Sequence, residues 1–124
     1  MLLSTACGAA EPSATPTLVA ATPGASVEVI AAARADVKNT MALYAAGQRD
    51  AVYEKAAAIY LDRIEGLEPA LLKVDKNFAP VLEGDFKALR DGIKVGLPKA
   101  DLDAIAARID AELVRADTML APHQ

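Results

Sequence analysis

An all-α fold, an up-down-up-down four-helix bundle behind a disordered N-terminal tether, is predicted by three features of the sequence. Alanine is very abundant while aromatic residues make up only 4 %, and alanine has the best helix propensity. Apolar residues recur at helical spacing in four stretches, the first three closed by a glycine or a short polar turn. No alternating strand pattern competes, and 124 residues suffice for one domain with a modest core.

Residues 1–7 read as the truncated remnant of a bacterial lipoprotein signal. Thr5-Ala6-Cys7-Gly8 places small residues before a cysteine that would be lipidated and become the new N-terminus. Residues 8–25 are rich in Ala, Pro, Thr, Ser and Gly, a composition that cannot bury a core and behaves as a flexible linker. A lipid on Cys7 would hold the next domain at the membrane surface without inserting it.

The bundle is expected over residues 26–120, with 121–124 as a tail. The first helix starts at Ser26 as N-cap, carries Ala33, Val37, Met41 and Tyr44 on one stripe, and stops at Gly47. Asp50 caps the second helix, which runs from Ala51 to Val74 with Tyr53, Ala57, Tyr60, Ile64, Leu67 and Leu71 facing inward. The third comes after Asp75-Lys76-Asn77 with Phe78, Leu82, Phe86, Leu89 and Ile93, and ends at Gly96-Leu97-Pro98. The fourth begins between Lys99 and Asp101 and buries Leu102, Ile105, Ile109, Leu113, Ala116 and Leu120.

Composition removes several chemistries. One cysteine cannot make an internal disulfide or a multi-cysteine metal site. The single histidine, His123, sits at the C-terminus and offers no triad or haem ligand. A net charge of −4 argues against nucleic acid as a partner. No 18-residue apolar run is present, so nothing here spans a bilayer. Met41 and Met119 read as packing residues, and Asp101, Asp103 and Asp110 as a cap and a solvated face.

Carboxylates remain. At about 100° per residue, Glu68 falls inside the apolar arc of the second helix and Glu65 at its edge, both pointing to one side. A carboxylate buried there must be paired, protonated or bound to a cation. Glu83 and Arg90 flank the stripe of the third helix: Glu83 as a third oxygen ligand, Arg90 as a charge-balancing partner. Pro69 cannot donate to the carbonyl of Glu65, so a kink eased by Gly66 and a free carbonyl oxygen are expected beside the glutamates. Hard oxygen donors with the Tyr60 phenol nearby suit a hard cation such as ferric iron. Equally, the cluster can be a structural Glu–Arg pair with no metal.

From Met41 to Leu120 the chain resembles the extracytoplasmic helical domain of bacterial oxidase-dependent high-affinity iron permeases. Leu43-Tyr44-Ala45-Ala46-Gly47, Tyr60-Leu61-Asp62, Glu65-Gly66-Leu67-Glu68-Pro69, and Glu83, Phe86 and Leu89-Arg90 carry the likeness, in that order. The permease's membrane helices have no counterpart here, so the resemblance implies a stand-alone tethered relative that does not itself transport. It implies an extracytoplasmic, lipid-anchored accessory of iron uptake that captures Fe3+ or docks on an iron permease complex. Glu65, Glu68 and Glu83 would be its metal ligands, with Arg90 and Tyr60 behind them. The alternative is a metal-free bundle lipoprotein that docks a partner. No nucleophile or cofactor motif accompanies the glutamates, so an enzyme is not expected.

Overall fold

The computed structural model describes residues 23–121. The signal remnant with Cys7, the linker as far as residue 22, and the C-terminal residues 122–124 with His123 lie outside them. The described residues form helices and no strand. α1 spans Pro23–Ala45, α2 Arg49–Ile59, α3 Glu68–Val74, α4 Phe78–Val95 and α5 Lys99–Leu120. A π-helical turn, Tyr60–Ile64, and a 3-10 turn, Glu65–Leu67, join α2 to α3, so the five α-helices make four rods. α1 and α4 each pack on both α2 and α5, which closes the rods into a ring. No helix is long and apolar enough to cross a membrane, among the described residues.

Glycine sets two of the turns. Gly47 and Gly96 adopt φ of 87° and 77°, the left-handed region in which a side chain is disfavoured. In both turns the glycine N–H bonds the carbonyl three residues back and the next residue bonds the one five back. The pairs are Gly47 to Tyr44 with Gln48 to Leu43, and Gly96 to Ile93 with Leu97 to Gly92. This closure satisfies the last carbonyls of α1 and α4. Arg49 adds a clasp: its guanidinium donates to the carbonyls of Ile93 at 3.2 Å and Lys94 at 2.8 Å, at the negative end of α4. Tyr44 ties the same end together, its hydroxyl donating to the Leu97 carbonyl at 2.7 Å.

The expected helix starts shift by a few residues. α1 begins at Pro23 rather than Ser26, shortening the linker expected to reach residue 25, because proline suits a first turn where its missing N–H has no partner. α2 comes after Gln48 and α5 after Pro98, neither with a side-chain cap, so Asp50 and Asp101 do not cap. They lie in the first turns, where a carboxylate meets the positive end of the helix.

The core is apolar apart from Thr40 of α1, whose hydroxyl donates to the Asp36 carbonyl at 2.7 Å. Ile30, Leu82, Phe86, Leu89, Ile93, Leu102, Ile109 and Leu113 are fully enclosed, each burial contributing roughly 1.5–3 kcal/mol. Met41 is buried and Met119 packs against the core, both as packing residues. α4 and α5 approach closely at Gly92, where an added Cβ would lie 2.7 Å from Leu102 Cδ2 and 2.9 Å from Leu97 Cδ1.

The second rod departs from the expected stripe, and the departure is informative. Its buried residues are Val52, Ala56 and Ile59, then Tyr60, Ile64, Leu67 and Leu71. The spacing is helical on each side, but Ile59 and Tyr60 are adjacent and both buried. A π-turn inserts one residue into the helix, and so rotates the C-terminal part of the rod by about 100° relative to the N-terminal part. A stripe drawn through Tyr53 and Ala57 ignores that insertion, and the buried face of α2 lies one residue earlier. Beyond the turn the rod changes neighbours: the π-turn still touches α1, whereas α3 packs on α4 and α5.

The candidate functional site at the π-turn

Tyr60 opens the π-turn and Glu68 opens α3, eight residues later. Tyr60 is buried, its ring edge packed against Phe86 with centroids 5.6 Å apart and planes at 66°. Its hydroxyl donates a hydrogen bond to Glu68 Oε2. Tyr60, Ile64 and Leu67 are buried on this rod and Glu68 is half-buried beside them. Glu68 thus resolves its partial burial with a phenol, not with Arg90.

The carbonyl of Glu65 is not free. Closing the 3-10 turn, the Glu68 N–H donates to it, so the oxygen expected to be released by Pro69 is satisfied by i→i+3 bonding instead. Pro69 sits at the start of α3, where its missing N–H costs nothing. The irregularity lies before the proline, in the π and 3-10 turns, and Gly66 adopts no left-handed conformation.

The other expected residues are spread. Glu65 is exposed on the 3-10 turn and Glu83 is exposed on α4. Arg90 is half-buried on α4 and makes no ion pair with any of the three glutamates among the described residues. No three His, Cys, Asp or Glu side chains gather where they could hold a metal ion, among the described residues. The structure therefore brings Tyr60 and Glu68 together and leaves Glu65, Glu83 and Arg90 apart from one another.

Arginine bridges between rods are a feature the sequence did not reveal. Arg34 of α1 grips Asp110 of α5 through two hydrogen bonds, 2.8 and 3.2 Å, which holds that carboxyl below its ordinary range and makes Asp110 more than a solvated residue. Arg63 of the π-turn bonds Asp36 of α1 at 2.7 Å. Arg108 of α5 reaches Asp85 of α4 at 2.9 Å. Asp103 is engaged more locally, by Lys99 at 2.7 Å one turn away.

Beside Asp85 lies the most perturbed group of the described residues. Glu112 of α5 is half-buried, its Oε1 closed off from solvent with no donor reaching it. Burial first, then the hydrogen-bonding contact with Asp85, push its carboxyl up to about 8. The sequence held one weak signal for this pair: Asp85 precedes the core residue Phe86 and Glu112 precedes the core residue Leu113, both on the shoulders of apolar stripes.

No family model, no curated protein and no solved structure matches the chain.

Proposed function

We propose that this chain is a non-enzymatic accessory of iron uptake, held at the extracytoplasmic face of a bacterial membrane through Cys7 and working through the Tyr60–Glu68 segment. One observation carries the reading. The residues with the densest resemblance to the iron-permease domain, Tyr60-Leu61-Asp62 and Glu65-Gly66-Leu67-Glu68-Pro69, coincide with the irregular stretch of the second rod. π-turns within helices are frequent at functional sites, and this one sets a phenol against a carboxylate with a second carboxylate, Glu65, exposed on the next turn. Phenolate and carboxylate oxygens favour a hard trivalent cation.

Titration of the full chain with chelated ferric iron, monitored by calorimetry and visible absorbance, tests this. Saturable heat and a tyrosinate-to-iron charge-transfer band are expected, the band lost in Tyr60→Phe and the heat in Glu65→Ala/Glu68→Ala. Absence of both in the folded wild type would reject iron capture.

A second reading is favoured by the Tyr60–Glu68 hydrogen bond itself, which gives the half-buried carboxylate a partner without a cation. Here the segment is a docking surface for a membrane partner, with Leu61 58 % exposed at its centre. It predicts that Glu68→Gln lowers stability and leaves every response to iron unchanged.

A further inference from the structure

Beside the π-turn, α1 and the second rod leave a recess of about 280 Å3 between them, at a level where Thr40 and Ala58 are small. Thr40 and Ile59, both buried, form its floor with half-buried Ala58. The Thr40 hydroxyl already donates to the Asp36 carbonyl at 2.7 Å, so the floor offers no side-chain donor. One end is shut by Arg63 of the π-turn, whose Nε donates to Asp36 of α1 at 2.7 Å. On the rim stand three exposed side chains, Asn39 of α1, Lys55 of α2 and Asp62 of the π-turn. Neither Lys55 nor Asp62 makes an ion pair among the described residues. The recess therefore holds one internal pair of charges and one cation and one anion without partners. A bare metal cation there would face Lys55 and Arg63, and a simple anion would face Asp36 and Asp62. A molecule of both signs can set each of its charges against the opposite one. Lys55 and Asp62 are seven residues apart on one rod, about 10 Å along a helix axis. Even with the long lysine stem covering part of that span, the two charges of such a molecule must be separated by a chain, and the floor of Ile59 and Ala58 suits an apolar one. The volume lies below the range of about 300–1,000 Å3 that holds drug-sized ligands, so the chain is short.

We infer that this recess binds a small zwitterion of the ω-amino-acid class. The ligand's carboxylate sits on Lys55, its ammonium on Asp62 and its methylene chain over Ala58 and Ile59. The Asn39 amide, a donor and an acceptor at once, serves either end. Two of the lining residues, Asp62 and Arg63, come from the π-turn, a kind of irregularity frequent at functional sites. The recess is on the α1 side of that turn, whereas Tyr60 packs on Phe86 of α4. Binding here does not depend on the role of the Tyr60–Glu68 segment.

Titration of the full chain with 4-aminobutyrate, followed by amide NMR, tests the site. Saturable shifts are expected at Asn39, Thr40, Ala58 and Ile59. Lys55→Met and Asp62→Asn change exposed side chains, so both variants should fold as wild type does. Each should weaken binding by about tenfold, because each removes one charge-assisted contact. Butyrate and butylamine, which lack one charge apiece, should bind wild type more weakly by a similar factor. Absence of saturable shifts in wild type would overturn the site. Butyrate or butylamine binding as tightly as 4-aminobutyrate would overturn the zwitterion, and unchanged affinity in both variants would overturn the roles of Lys55 and Asp62.

Discussion

The two carboxyl sites of this bundle solve one problem in opposite ways. At the π-turn, Glu68 lies in an apolar arc and is met by a neutral donor, the Tyr60 hydroxyl, from its own rod. Between α4 and α5, Glu112 is met by another carboxyl, and the arginine that bonds the pair, Arg108, binds Asp85. A phenol supplies Glu68 with a hydrogen-bond donor without adding charge. A second carboxylate supplies repulsion, so Glu112 must keep its proton. At Glu112 burial acts first and the neighbouring carboxyl second, and both raise its pKa.

The largest test of this contrast strikes the residue between the two sites. Phe86 packs on Tyr60 and comes directly after Asp85 in the chain. Phe86→Ala should cost about 3–5 kcal/mol in urea unfolding, through lost burial and the cavity left behind. It should also disturb both sites at once, lowering the order of Tyr60 and easing the titration of Glu112.

The next separates them by pH. Glu112 has its folded-state pKa raised from 4.5 to about 8, so the folded state binds the extra proton between those values. Its stabilising contribution is complete below about 4.5 and is lost as pH rises through about 8. Asp85, Asp91 and Asp110 are shifted the other way, so their contributions are lost as pH falls below about 3.8. The melting temperature should therefore peak near pH 4 to 5 and decline toward pH 8. In Glu112→Gln the alkaline decline should flatten while the acid loss remains; in Tyr60→Phe the decline should persist.

Tyr60→Phe itself should cost about 1–3 kcal/mol, since it leaves half-buried Glu68 without its donor. A double-mutant cycle with Glu68→Gln isolates the pair: strong coupling is expected, and additive losses would show the hydrogen bond to be dispensable.

Two glycines with different surroundings come next, the second giving the smallest effect. Gly92→Ala should destabilise by about 1–3 kcal/mol, as Leu102 and Leu97 must move aside. Gly66 has no atom within 4 Å of an added Cβ, so Gly66→Ala should instead stabilise by about 0.4–1 kcal/mol by stiffening the unfolded chain. Equal responses at the two positions would mean that the α4–α5 contact is looser than its geometry indicates.

Much of this molecule is written in its amino-acid order. Leu82, Phe86, Leu89 and Ile93 on one helix, and Leu102, Ile109, Leu113 and Leu120 on the next, lie on the faces their spacing requires, and all are buried. Gly47 and Gly96 end helices because the left-handed conformation favours glycine. The all-α bundle of four rods arises from such local rules. Periodicity assigns each residue to a face, yet it cannot report a residue inserted within a turn. The adjacent pair Ile59-Tyr60 marks that insertion, but only packing against the neighbouring rods shows both residues buried. Partners across rods were out of reach for a related reason. Whether Arg90 or Arg108 meets a carboxylate depends on how far one rod slides and rotates on another, and a slide of one residue, about 1.5 Å, changes the answer. The sequence by itself determined the helical rods and most of their inward faces, through forces acting within a few residues, but not the shifted face of α2. The tertiary structure alone decided that Glu68 meets a phenol and Glu112 a carboxylate, because those meetings depend on how the π-turn and the rods are set against one another.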